Sequence, residues 1–222
     1  MESEALARQL AHDLKPVRRL RRPALRLAGW IAVALPAVLL AAFMMGLRPD
    51  LGALLMRPAF IFAEAAALLT AVLGIYAAVC AGLPDQPGWK LWLPVGGMAL
   101  WLGVLGKQCI DVWLRLGPGG LSLSGDLVCL PAIALIGFIP ALLITLMLRR
   151  TSGFRATHAC LCGGIGAASL AAAALRLCHA EDAALMVLVW QVGSVLLLSL
   201  IAGAIGRLLL PARATRFSPP GA

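Results

Sequence analysis

Lys107-Gln108-Cys109-Ile110-Asp111-Val112-Trp113-Leu114-Arg115-Leu116-Gly117-Pro118-Gly119-Gly120-Leu121-Ser122-Leu123-Ser124-Gly125-Asp126-Leu127-Val128-Cys129-Leu130 is the stretch whose reading decides the fold. It holds two cysteines, two aspartates, two cations and a tryptophan, and the sequence on either side is long, apolar and almost without charge. Pro118 has a fixed φ and no amide proton, while Gly119 and Gly120 tolerate positive φ, so the chain must bend here and cannot continue as one helix. A polar bend bracketed by Cys109 and Cys129, set between two apolar runs, reads as the connection between two membrane spans. In a membrane protein such a connection is a natural place for a site.

Working outward from it, apolar runs occur at about 27–47, 59–82, 91–108, 127–148, 159–178 and 184–209. Each approaches the ~20 residues that a helix needs to cross a hydrocarbon core of about 30 Å. Pro94 and Gly96-Gly97 interrupt the third run, which membrane helices tolerate. Composition agrees: 61% of the 222 residues are hydrophobic, 13% are charged and mean hydropathy is +0.93. An average soluble domain is far more polar. The expected architecture is all-α, a polytopic bundle of six transmembrane helices. It divides into a cytoplasmic tail at 1–26, a transmembrane domain at 27–210 and a disordered cytoplasmic tail at 211–222. Trp30, Trp89, Trp92, Trp101, Trp113 and Trp190 mostly fall near run ends, as interfacial tryptophans do.

The net charge of +9 does not mark a nucleic-acid binder, because the basic residues are segregated. With the N-terminus inside, fourteen Lys and Arg fall on the inner side and five (Arg48, Arg57, Lys107, Arg115 and Arg176) on the outer. That is a positive-inside bias, and it places both termini in the cytoplasm. The excess also draws the inner face to anionic lipid. In the tail, Leu6, Leu10 and Leu14 recur every four residues as one helical stripe, and Pro16 then stops or kinks the helix. A basic cluster from Arg18 to Arg22 follows. This narrow stripe suits either a groove on a partner protein or the surface of the inner leaflet. The charged segment is too long for a cleavable leader, and no small-residue cleavage site follows the apolar core.

Chemistry rests on few side chains. Cys129 opens the fourth run and Cys178 closes the fifth, so an antiparallel pair brings both thiols to one outer level. There they could close a disulfide in an oxidising compartment or share a soft metal ion. The plain alternative is that cysteine is a common small residue inside membrane bundles. Cys80, Cys160 and Cys162 fall toward the inner face, and Cys160-Leu161-Cys162 reads as packing. Glu64 lies within the second run, where a carboxylate is costly, although near the outer end water or an arginine could satisfy it. Lys107 and Asp111 are spaced to pair on one helical face. Arg176 and His179 flank Cys178 and could tune its thiol or add a ligand. No nucleophile triad, phosphate loop, HExxH or haem-attachment pattern is present. Glycines crowd the fifth run (Gly163, Gly164, Gly166) and the sixth (Gly193, Gly203, Gly206), which reads as close helix packing.

Several segments together resemble the NrsF-type membrane anti-sigma factors. They are Asp13-Leu14-Lys15-Pro16-Val17-Arg18-Arg19-Leu20-Arg21-Arg22-Pro23-Ala24-Leu25, Gly46-Leu47-Arg48-Pro49-Asp50-Leu51, and Cys109 to Cys129 with Asp111-Val112-Trp113-Leu114-Arg115-Leu116-Gly117-Pro118 inside it. Cys178 followed by Glu181-Asp182 and Trp190 resembles the segment before that family's last span. The resemblance covers the whole chain. It implies an inner-membrane regulator that sequesters an extracytoplasmic-function sigma factor and releases it on stress. With that resemblance, the tail stripe becomes the candidate sigma-factor-binding segment, read as Leu6, Leu10, Asp13, Leu14, Pro16, Val17, Arg18 and Arg19. The resemblance also implies an outer thiol pair matched by Cys129 and Cys178, with Cys109 as a third candidate. Gly119 stands where the family often carries an acid, which weakens a metal-ligand role for the loop.

Neither an enzyme nor a resident cofactor is expected, and no direct contact with nucleic acid. Two other classes stay open. A small transporter or channel would use Glu64, Lys107 and Asp111. A membrane thiol oxidoreductase working with a quinone would want a CxxC, which the chain lacks.

Overall fold

The computed structural model describes residues 4–5, 21–117, 129–151, 155–179 and 184–210. Those residues form an antiparallel helical bundle without strands. Its helices are α1 (Pro23–Met45), α2 (Pro58–Ala81), α3 (Leu93–Leu116), α4 (Cys129–Leu148), α5 (Ala156–Cys178) and α6 (Gly193–Ala204). A 3-10 turn, Gly88–Trp92, leads into α3, and a π-helical segment, Val187–Val192, leads into α6. Counting these leads, six helices among the described residues are long and apolar enough to cross a membrane. The chain is a polytopic membrane protein.

Helix starts follow simple chemistry. Pro23, Pro58 and Pro94 each stand in the first two positions of a helix, where the missing amide proton removes no hydrogen bond. Pro94, which interrupts the apolar run in the sequence, therefore helps to begin α3. That helix also runs past the expected end at 108 and stops at Gly117, whose φ of 68° suits only glycine and whose amide caps onto the Trp113 carbonyl at 2.8 Å. The part of the opening stretch from Lys107 to Leu116 is thus helix rather than loop, because its first breaker is Gly117. Pro118, Gly119 and Gly120 lie outside the described residues. The first span starts earlier than expected, so Arg26 belongs to α1 and not to the tail.

The fifth helix is the hub. In its most apolar window 78% of residues are buried, against 22–44% in the other five spans. Helices α2, α6, α4 and α1 all pack on it. Its small side chains make that possible. A Cβ on Gly74 would come within 2.7 Å of the Gly166 amide nitrogen, and one on Gly164 within 2.9 Å of the Ser199 Cα. The backbones of α2 and α5, and of α5 and α6, therefore nearly touch. Gly203 and Gly206 make similar approaches to Leu161 and to Ala156, while nothing lies near Gly193. The packing reading holds for the other glycines and fails for Gly193.

Two tryptophans depart from the interfacial expectation. Trp30 and Trp101 are fully buried, and Trp30 donates its indole proton to the Pro140 carbonyl at 3.0 Å, tying α1 to α4. Trp89, Trp92 and Trp113 are exposed, and Trp190 packs partly buried against the core.

Candidate functional site

The bundle has two ends. The tail end gathers the start of α1, the end of α2 and the junctions at Thr151 and Leu210. There Arg26 Nη2 donates to the Met147 carbonyl at 2.7 Å and Arg149 Nε to the Leu209 carbonyl at 3.2 Å. The far end gathers the α1–α2 connection, the end of α3, the start of α4 and the end of α5. Chemistry collects at this far end.

Its first component is an ion pair inside the bundle. Arg176 Nη1, in the last turn of α5, stands 2.9 Å from Glu64 Oε1, in the second turn of α2. The Arg176 side chain is 4% exposed, and its guanidinium lies 4.7 Å from the centre of the Phe60 ring. Phe60 and Glu64 are one helical turn apart, so a single face of α2 presents both a π-surface and a carboxylate to the arginine. Arg176 Nε and Nη1 meet no hydrogen-bond geometry among the described residues, so the 2.9 Å approach is ionic and off the N–H axis. The partner for Glu64 anticipated in sequence is thus Arg176. Arg176 faces that carboxylate and not the adjacent thiol.

A second component is a clasp built on Arg48. Its backbone amide donates to the Leu177 carbonyl at 3.1 Å and its Nη1 to the His179 carbonyl at 3.2 Å. Asp50 receives the same guanidinium from two sides, Nε to Oδ1 at 2.7 Å and Nη2 to Oδ2 at 2.8 Å. Arg48 is buried while Asp50 is half exposed. Hydrogen bonding from Arg48 holds the Asp50 carboxyl below its ordinary pKa. The connection between α1 and α2 is in this way fastened to the C-terminus of α5.

Between these two fixtures lies Cys178. Its Sγ donates back along its own helix to the Leu175 carbonyl at 3.3 Å, and it is partly exposed. Cys129 is the first residue of α4, is buried, and stands at the same end of the packed α4–α5 pair. Cys109 is partly exposed on α3, next to Gln108, whose Nε2 donates to the Ala59 carbonyl at 2.7 Å at the start of α2. All three outer-thiol candidates therefore lie at the far end, Cys129 and Cys178 on neighbouring helices and Cys109 on a helix that packs chiefly against α2. No disulfide joins any of the six cysteines, and Cys80, Cys160 and Cys162 are buried in the bundle. Among the described residues no three His, Cys, Asp or Glu side chains converge as a metal cluster.

Residues singled out for transport are not brought together. Lys107 Nζ pairs with Asp111 Oδ2 at 2.6 Å on the exposed face of α3, while Glu64 is engaged by Arg176. The tail residues Leu6, Leu10, Asp13, Leu14, Pro16, Val17, Arg18 and Arg19 lie outside the described residues, as do Glu181 and Asp182. Sequence reasoning missed the Arg48 clasp. The signal was available: Arg48 and Arg176 are two of only five cations on the side that the positive-inside bias depletes.

The fold is that of a six-span helical membrane protein, with an arginine–glutamate pair, an arginine clasp and three thiols at its far end. The particular family follows from comparison. The family model described as NrsF, negative regulator of sigma F, matches residues 10–211, and the chain belongs to that family. No curated protein and no solved structure matches it.

Proposed function

We propose that this chain is a membrane anti-sigma factor of a bacterial inner membrane that sequesters an extracytoplasmic-function sigma factor through its cytoplasmic N-terminal tail. It acts by binding and not by catalysis. The observation that carries the reading is the family match from residue 10 to residue 211, which takes in much of the tail and all six spans of a negative regulator of a sigma factor. The Leu6, Leu10, Leu14 stripe offers a one-sided apolar face of the kind that docks in a groove, with Asp13, Pro16, Val17, Arg18 and Arg19 completing the contact.

The release signal in this reading acts on the far-end thiols, which face the outer compartment. A peroxide would oxidise Cys129 and Cys178 together. One S–S bond forms as two S–H bonds and the O–O bond break, two electrons pass to the peroxide oxygens, and the thiol protons leave in two waters. A soft metal ion would instead displace both protons and bridge the thiolates. Cys109 is the alternate partner. Either event favours a packing in which α4 and α5 are drawn together at that end. Release requires that this packing bind the sigma factor less well, and about 1.4 kcal/mol of differential affinity gives a tenfold change.

The test uses the full chain. Leu10→Asp with Leu14→Asp should abolish co-purification of the sigma factor and raise its reporter to the level of a strain lacking the regulator, with unchanged protein in the membrane. Continued capture by the double variant would place the binding element elsewhere, and absence of any sigma factor on the unaltered protein would overturn the function itself.

A further inference from the structure

Cys178 sits between two fixtures of different kinds. On one side Arg176 joins α5 to α2 through Glu64 and the Phe60 ring. On the other, the carbonyls of Leu177 and His179 hold Arg48 of the α1–α2 connection. The Arg48 clasp holds the connection that precedes α2, whereas the Arg176–Glu64 pair acts on α2 itself.

The two helices also meet deeper in the bundle. Gly74 and Gly166 touch backbone to backbone, and Glu64 and Arg176 stand ten residues away from them on their respective helices, in the same antiparallel register. At 1.5 Å per residue the ion pair lies about 15 Å from the glycine contact. Neither glycine interposes a side chain of its own at that contact, and no charge is held there, so it opposes a small rotation of one helix against the other less than an ion pair does. The ion pair resists it, because drawing its two charges apart at membrane depth loses an attraction that a low dielectric makes strong. Helix α5 can turn on its glycines only if the Glu64 end of α2 comes with it. Arg176 Nε, without a hydrogen-bond partner among the described residues, leaves the guanidinium a donor with which to re-form the pair in a shifted geometry.

We propose that Arg176 is the positioning residue that makes α2 follow the Cys178 end of α5, so that thiol chemistry at the far end is carried into the bundle through the Arg176–Glu64 pair. The proposal rests on the thiol reading given above. A plain packing role would affect only how much protein accumulates. The coupling role affects how far the partner is released once the thiols have reacted.

The experiment uses full-length protein in cells with its sigma factor and a sigma-dependent reporter, with hydrogen peroxide as the probe. Thiol state is followed by mass-tag alkylation, and every signal is normalised to regulator in the membrane. Glu64→Gln with Arg176→Gln removes both charges together and strands neither. It should keep basal repression and still lose tag from Cys129 and Cys178 on oxidation, yet its induction ratio should fall at least tenfold. The exchanged pair, Glu64→Arg with Arg176→Glu, should recover most of that ratio. A double variant at normal abundance with normal induction overturns the coupling. If the double variant fails to accumulate, Glu64→Gln alone removes the carboxylate charge while Arg176 keeps the Phe60 ring, and unreduced induction there overturns the proposal equally. Normal induction in Cys178→Ser would remove the thiol reading and this proposal with it. Loss of induction in Cys178→Ser beside normal induction in the double variant would remove the coupling alone.

Discussion

Arg48 shows how much one side chain can organise. Its planar guanidinium supplies Nε and Nη2 to both oxygens of Asp50 and keeps Nη1 for the His179 carbonyl, a division of donors that a lysine could not make. Asp50 is the titratable half of this clasp. Its pKa is depressed from the ordinary 3.8, chiefly by hydrogen bonding to Arg48, so its contribution is complete above that value and is lost as pH falls through the lower folded value. The expected outcome for Asp50→Asn is a melting temperature in detergent below that of the unaltered protein by a constant margin from pH 5 to 8. The margin should shrink below pH 4 and vanish once the native carboxyl is protonated. A margin that widened toward acid would mean that Asp50 is held in the opposite sense.

Among the elements, α5 carries the fold because it is built of residues with almost no side chain. Adding a methyl group at Gly74 would drive its carbon to 2.7 Å from a backbone nitrogen, which no rotamer change relieves. Gly74→Ala should therefore cost at least the 1–3 kcal/mol typical of overpacking, read as earlier unfolding in an SDS titration. Gly103→Ala is the matched control, since nothing lies within 4 Å of it, and it should be neutral. Equal losses at both positions would mean that glycine content and not close approach sets the stability. The existence of these helices was legible in the sequence, as were Cys129 opening one span and Cys178 closing another, because apolar run length against bilayer thickness is a one-dimensional property. Which faces meet was not. Mean hydropathy says nothing about whether Trp101 faces lipid or core, and it cannot name Arg176, more than a hundred residues away, as the partner of Glu64. The end of α3 was misjudged for a related reason. The spacing of Lys107 and Asp111 already suited a helix, but the apolar run thins into charge at 108, and the helix itself is broken only at Gly117.

On the scale of the whole molecule, the cations divide unequally between the two ends of the bundle. The cations at the far end are Arg48, Arg57, Lys107, Arg115 and Arg176, and Arg176 is bound to a carboxylate, Arg48 to another and Lys107 to a third. The tail end carries Arg21, Arg22, Arg26, Lys90, Arg149, Arg150, Arg155 and Arg207 among the described residues, with the further basic residues of both termini adjoining. The division, counted on Lys and Arg alone, is fourteen against five. Six spans, an even number, then return the chain to the side on which it began. The prediction is that reporter fusions after Arg150 and after Ala222 are active only in the cytoplasm, and a fusion after Gly119 only outside. An external C-terminus would require an odd number of crossings. It would also separate one terminus from any cytoplasmic partner. A cytoplasmic Gly119 fusion would do more damage: it would set Cys109, Cys129 and Cys178 in a reducing compartment, where thiols stay reduced, and so remove the chemical basis for sensing at that end.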